Sequence, residues 1–196
     1  MSGGAGGPSP RAVTVPEGGP PGAHAPGTEP TRGAPRESLS PEALAEAMIR
    51  AGRLLAGRAR SEAELRDRLA RAGLDERTAA AAVERLRSLH LVGDEEFARQ
   101  WIEERARTRG RSGAALLAEL EAKGVARSVA EAALLSAGVD DEAQARLVAE
   151  WALPRLARHA PEVQGRRLHQ LLLRRGFDPA VTEGVVRALL PPEGWD

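Results

Sequence analysis

The chain has 196 residues, with 28 basic and 28 acidic side chains and no net charge, which argues against indiscriminate adhesion to nucleic acid. It contains no cysteine, so disulfides and thiolate metal sites are excluded. No stretch approaches the apolar run of a membrane span and the N-terminus lacks the apolar segment of a signal peptide, so a cytoplasmic protein without a membrane partner is expected.

Residues 1–38 are dominated by Gly, Pro, Ser and Ala without apolar periodicity. Such a segment cannot bury enough apolar surface to offset its ordering entropy, and a disordered tail is expected there. Ser40 before Pro41 is a helix start, because proline at the first helical position gives up a donor that would be unpaired anyway. Ser61 with Glu64 reads as a capping box, with Leu65 and Leu69 on one face of the helix that follows and Gly73 ending it. Asp75 can cap the next helix, whose Ala79, Ala82, Val83 and Leu86 recur at helical spacing.

A second set opens near Asp94, presents Phe97, Trp101 and Ile102, pauses at Gly110, and resumes at Ser112 with Leu116, Leu117 and Leu120. Ser128 with Glu131 reads as another capping box ahead of Val129, Ala133 and Leu134. A third set runs from about Asp140 through Leu147 and Trp151, breaks near Pro154 and Pro161, continues through Leu168 and Leu172 to Gly176, and ends in a helix carrying Val181, Val185, Val186 and Leu189.

One pattern organises these elements. Leu65, Leu69 and Gly73 recur as Leu116, Leu120 and Gly124 and again as Leu168, Leu172 and Gly176. A helical repeat of this length cannot bury its apolar face alone, so neighbouring copies must stack into an elongated body. No alternating strand pattern interrupts them. The expectation is an all-α chain of three tandem three-helix repeats over 39–92, 93–138 and 139–190, followed by a short tail at 191–196.

The neutral average hides three basic segments. Residues 50–71 carry seven arginines against three carboxylates, residues 99–127 carry six arginines and Lys123 against four, and residues 155–175 carry six arginines against Glu162 alone. Planar guanidinium groups suit both carboxylate and phosphate. The candidate contact residues are Arg66, Arg68, Arg107, Arg109, Arg111, Lys123, Arg166, Arg167, Arg174 and Arg175. An exposed, solvated helix face would account for the same charges. Phe97, Trp101 and Phe177 fit core packing, whereas Trp195 lies beyond the last helix.

The string LVGDEEFARQWIEERAR at 91–107, with LLAELEAKGV at 116–125, LLLRRGFD at 171–178 and LLAGRARSEAELRDRLARAGLD at 54–75, resembles the RecX family of regulators of the RecA recombinase. The resemblance spans roughly residues 53–190. It implies a curved body of tandem three-helix repeats that binds the RecA nucleoprotein filament along its groove. It further implies a regulator that limits filament growth and restrains strand exchange, ATP hydrolysis and the coprotease activity behind the damage response. Single-stranded DNA phosphate is a second contact such a protein could make, and a monomer without a cofactor is expected.

Catalysis finds no support in the residues. There is no phosphate-binding glycine loop and no His-Glu-x-x-His pair, and His24, His90, His159 and His169 sit apart. Two alternatives to a filament regulator are a helix-turn-helix DNA reader and a helical scaffold for another protein. The first is disfavoured because VAEAALLSA at 129–137, the second repeat's counterpart of a recognition helix, offers no Arg, Lys, Asn or Gln to base edges.

Overall fold

The computed structural model describes residues 39–190, apart from the side chain of Arg109. The expected tails at 1–38 and 191–196, with Trp195, lie outside the described residues. Among those described there are nine α-helices and no strand: α1 Pro41–Gly57, α2 Glu62–Arg71, α3 Glu76–Ser88, α4 Asp94–Arg109, α5 Gly113–Glu121, α6 Arg127–Ser136, α7 Asp141–Leu156, α8 Pro161–Arg174 and α9 Pro179–Leu189. They form three successive three-helix units, and in each the first and third helices make the most extensive contact.

Each unit has its own apolar cluster. The first gathers Ala47, Ala51, Leu65, Leu69, Ala79, Ala82, Val83 and Leu86. The second gathers Phe97, Ala98, Ile102, Leu116, Leu120, Val125 and Ala130, and the third gathers Ala145, Val148, Ala149, Ala152, Leu168, Leu172, Phe177, Val185 and Val186. The six repeat leucines are fully buried. Burying one leucine side chain contributes about 1.5–3 kcal/mol, so this pair in the middle helix anchors each unit. The small alanines at Ala47, Ala51, Ala98, Ala145 and Ala149 let the first helix lie close against its partners.

Ser40, Ser61, Asp75 and Ser112 cap their helices, accepting from the amides of Ala43, Glu64, Thr78 and Ala115. Two expectations are corrected. The Ser128–Glu131 box does not form: α6 begins two residues earlier than a Ser128 cap requires, with Ala126 in the extended cap position, and Glu131 pairs with Arg127 instead. Glu64 does not close its capping box either, because its carboxylate is engaged by Arg58 and Lys123. The expected break near Pro154 and Pro161 falls between the two prolines, since α7 ends at Leu156 and α8 starts at Pro161.

Candidate interaction surface

The units are joined by a junction that occurs twice. Ser61 Oγ, besides capping α2, donates to the Lys123 carbonyl at 2.6 Å, and Ser112 Oγ donates to the Gly176 carbonyl at 2.7 Å. The first amide of α2, Glu62 N, donates to Asp94 at 2.9 Å, and the first amide of α5, Gly113 N, donates to Asp141 at 2.7 Å. The middle helices of the first two units therefore each have an orphan amide satisfied by an aspartate that opens the next unit. The register of the repeat is set by hydrogen bonds as well as by apolar packing.

Lys123 lies inside the first junction. Its Nζ is 2.8 Å from Glu64 Oε1 and 4.3 Å from the centre of the Trp101 ring. Trp101 is only part-buried: its indole donates to Glu119 at 3.1 Å, and Arg105 stacks over the ring at 4.1 Å. Arg111 is similarly occupied, with Nε 2.7 Å from Glu119 and Nη1 donating to the Arg174 carbonyl at 3.3 Å.

Burial pushes the Glu64 carboxyl up, but the hydrogen bonds from Arg58 and Lys123 outweigh it and hold it at about 2. A carboxylate depressed by folding stabilises the native state above its usual range near 4.5, and that contribution is lost as pH falls toward about 2. Asp94 and Glu62 act in the opposite sense, since burial raises both and Asp94 raises Glu62 further. Comparison of native protein with Glu64→Gln isolates the first effect. The native chain should lose roughly 1–2 kcal/mol more than the variant between pH 5 and pH 2 in thermal melts. Parallel pH profiles would contradict this.

Arg66 and Arg68 are exposed on α2, Arg107 on α4, and Arg166, Arg167 and Arg174 on α8. Among the described residues none of these six pairs with a carboxylate. Arg167 donates to His159 Nε2 at 2.9 Å, and since a guanidinium can only donate, that nitrogen is the unprotonated one. Burial and the charges of Arg167 and Arg158 lower the His159 pKa, which agrees. Arg175 is half-buried, and burial followed by the Arg111 charge lowers its pKa. The side chain of Arg109 lies outside the described residues.

Aligning the repeat leucines places Arg166 and Arg167 at the positions of Ala63 and Glu64 in α2 and of Ala114 and Ala115 in α5. In the first two units this edge receives the glycine turn of the next unit, with Ala63 against Gly124 and Ala115 against Gly176. No unit follows the third among the described residues, and α8 begins a turn before the serine-capped starts of α2 and α5. This edge of the third unit is polar, and both arginines are exposed on it.

The structure brings together Arg107, Arg167, Arg174 and Arg175, which the sequence separates, around Trp151. One cleft, of about 840 Å³, runs between α4 and α7 and is lined by Ile102, Arg107, Leu147, Val148, Trp151 and Arg175 among others. A second, on the other side of the same tryptophan, is lined by Arg155, Arg167, Gln170 and Arg174. Leu147 and Trp151, through which the third repeat runs, are 60% and 58% exposed. The buried stripe of α7 is instead Ala145, Val148, Ala149 and Ala152. The signal was in the sequence: an apolar pair four apart that falls off the buried stripe forms a second apolar face on one helix.

Residues 47–86 match the family model for the first three-helix domain of RecX, and residues 94–134 match that for its second three-helix domain. Over 150 residues the chain is 38% identical to the regulatory protein RecX of Mycolicibacterium vanbaalenii, a match covering 72% of this chain and 80% of that relative. The chain belongs to the RecX family. The regulatory protein RecX of Mycobacterium avium is 38% identical over 146 residues, covering 72% of this chain and 83% of the relative. Among solved structures, RecX from Lactobacillus salivarius superposes with a TM-score of 0.65 at 20% identity, covering 76% of this chain and 97% of that one. A second RecX crystal structure gives 0.64 at 20% identity, covering 73% and 72%. These RecX folds thus share the helical architecture. Among the described residues no helix is long and apolar enough to cross a membrane, and no group of His, Asp and Glu could hold a metal.

Proposed function

We propose that this chain is a non-enzymatic, cytoplasmic regulator that binds the RecA nucleoprotein filament as a monomer, limits its extension, and so restrains recombination, ATP hydrolysis and the damage response. Its kinship with proteins named regulatory protein RecX supports a regulatory role. The observation that carries the binding mode is the set of exposed arginines without carboxylate partners on α2, α4 and α8, with those of α4 and α8 meeting around one exposed tryptophan. Three units in series offer contacts to several subunits of a polymer at once, which multiplies weak charge contacts into useful affinity. Arg111 and Lys123 contribute by holding junctions, since their charges are already engaged.

The test compares affinity for preformed RecA filaments with affinity for bare single strands at one fixed salt concentration, because phosphate contacts weaken steeply as salt rises. The native chain should prefer filaments. Arg166→Glu, Arg167→Glu and Arg174→Glu together should weaken filament binding about tenfold or more with helicity unchanged, given that none of the three pairs with a carboxylate among the described residues. Preference for bare strands would support a DNA-binding protein instead, and an unchanged affinity would make the α8 arginines a solvated face.

A further inference from the structure

The pair Leu147–Trp151 is not required by the repeat. Asp94 and Asp141 open α4 and α7 in the same way, each accepting from the first amide of the preceding unit's middle helix, so α4 and α7 align through them. On that alignment Leu147 corresponds to Gln100 and Trp151 to Glu104, both exposed. In the matching cleft between the first two units, lined by Leu55, Phe97 and Gln100 among others, Gln100 stands where this one has Leu147, and Glu104, the counterpart of Trp151, lines the adjoining cleft with Gln100. An exposed tryptophan beside an exposed leucine contributes nothing to the folding of its own unit, and an apolar edge within a charged surface is a mark of an interface.

The surrounding charge says what fits. Arg99 and Glu103 at the cleft mouth neutralise one another at 3.4 Å, while Arg107 on one side and Arg155 and Arg174 on the other have no carboxylate among the described residues. The floor is aliphatic, from Ile102, Ala106, Val139 and Val148. One face of the Trp151 ring is already covered by the Arg155 guanidinium, 3.8 Å from its centre. Single-strand binding sites stack successive bases on several open aromatic faces, which this cleft lacks. An aliphatic floor with a tryptophan edge and a basic rim is the complement of an amphipathic segment carrying carboxylates beside an apolar anchor.

We propose that the Leu147–Trp151 edge of α7 docks an acidic protein segment with an apolar anchor, contributed by the protein component of the filament and not by its DNA. This rests on the reading of function given above and names the chemistry by which that surface would choose its partner. The anchor enters the cleft between α4 and α7, covering Leu147 and the open face of Trp151, while its carboxylates meet Arg107, Arg155 and Arg174.

The test uses the full chain with preformed RecA filaments on a poly(dT) oligonucleotide, and with that oligonucleotide bare. Leu147→Gln with Trp151→Glu installs the residues that α4 carries at the equivalent positions, so melting temperature and helicity should match those of the native chain. Filament affinity should fall about tenfold or more, as for loss of a tryptophan anchor, while affinity for the bare strand stays unchanged. Arg155→Glu should weaken filament binding as well. Equal loss on filament and bare strand would make the edge a nucleic-acid contact and overturn the proposal. Full filament affinity in the double variant would also overturn it, leaving the reading of function intact. A native chain that does not bind filaments would overturn both, and that result is seen before any variant is compared.

Discussion

Gly124→Ala is expected to cost about 2–5 kcal/mol of unfolding free energy, while Gly73→Ala costs only about 1. The three repeat glycines share the left-handed backbone, with φ of 89° at Gly73, 79° at Gly124 and 92° at Gly176, so alanine pays a similar conformational penalty at each. What differs is space. A Cβ on Gly73 meets nothing within 4 Å, whereas one on Gly124 overlaps the Ala63 methyl, and one on Gly176 comes within 2.7 Å of both Ala115 Cβ and Ser112 Oγ. These are the sites where one unit seats on the turn of the next, and short alanine side chains on helices leave no way to yield except moving the junction. Urea unfolding of the three variants separates the effects. Equal losses at Gly73 and Gly124 would mean that the units do not seat on each other through these turns.

The second large effect is expected at the junction serines. Ser61 and Ser112 are fully buried, and each hydroxyl accepts from an amide of its own helix while donating to a carbonyl of the following unit. Alanine removes an N-cap, worth about 1 kcal/mol, and leaves a part-buried hydrogen bond to a carbonyl unmade, worth about 1–3 more. Ser61→Ala and Ser112→Ala should therefore each cost about 2–4 kcal/mol. Ser40→Ala removes an exposed cap on Ala43 N with no partner in another unit, and should cost below about 1. Denaturant titration of the three variants decides it. A Ser61→Ala loss no larger than that of Ser40→Ala would reduce the inter-unit hydrogen bond to an incidental contact.

Much of the fold was legible because its signals are local. Leu65, Leu69 and Gly73 and their two later copies encode a buried helical pair and the turn that ends it, and the caps at Ser40, Ser61, Asp75 and Ser112 need only neighbouring residues. Ser128 misled because a capping box is a short motif that several registers can satisfy, and the Arg127 contacts with Glu121 and Glu131 accompany a helix that starts two residues earlier. The junctions were not legible at all: Ser61 to Lys123 and Glu62 to Asp94 are pairings between distant segments that no periodicity announces.

The surface was half legible. Clusters of arginine stood out in the sequence, but which of them are spent inside the protein depended on long-range partners such as Glu119 for Arg111 and Glu64 for Lys123. Trp151 passed as one more apolar residue of a helix until the buried stripe of α7 was known to run through Ala145, Val148, Ala149 and Ala152. Its position beside arginines from α4, α7 and α8 is a product of the stacking of units, and the candidate surface is in that sense a consequence of the junction that Ser112 and Gly176 maintain.

The central claim is that this stack of helical units restrains a RecA filament. The most direct measurement is the rate of RecA-dependent ATP hydrolysis on single-stranded DNA as purified protein is added. A progressive fall in rate, relieved when Arg166, Arg167 and Arg174 are changed to glutamate, is the predicted result; an unchanged rate at several-fold excess of protein over RecA would contradict the account.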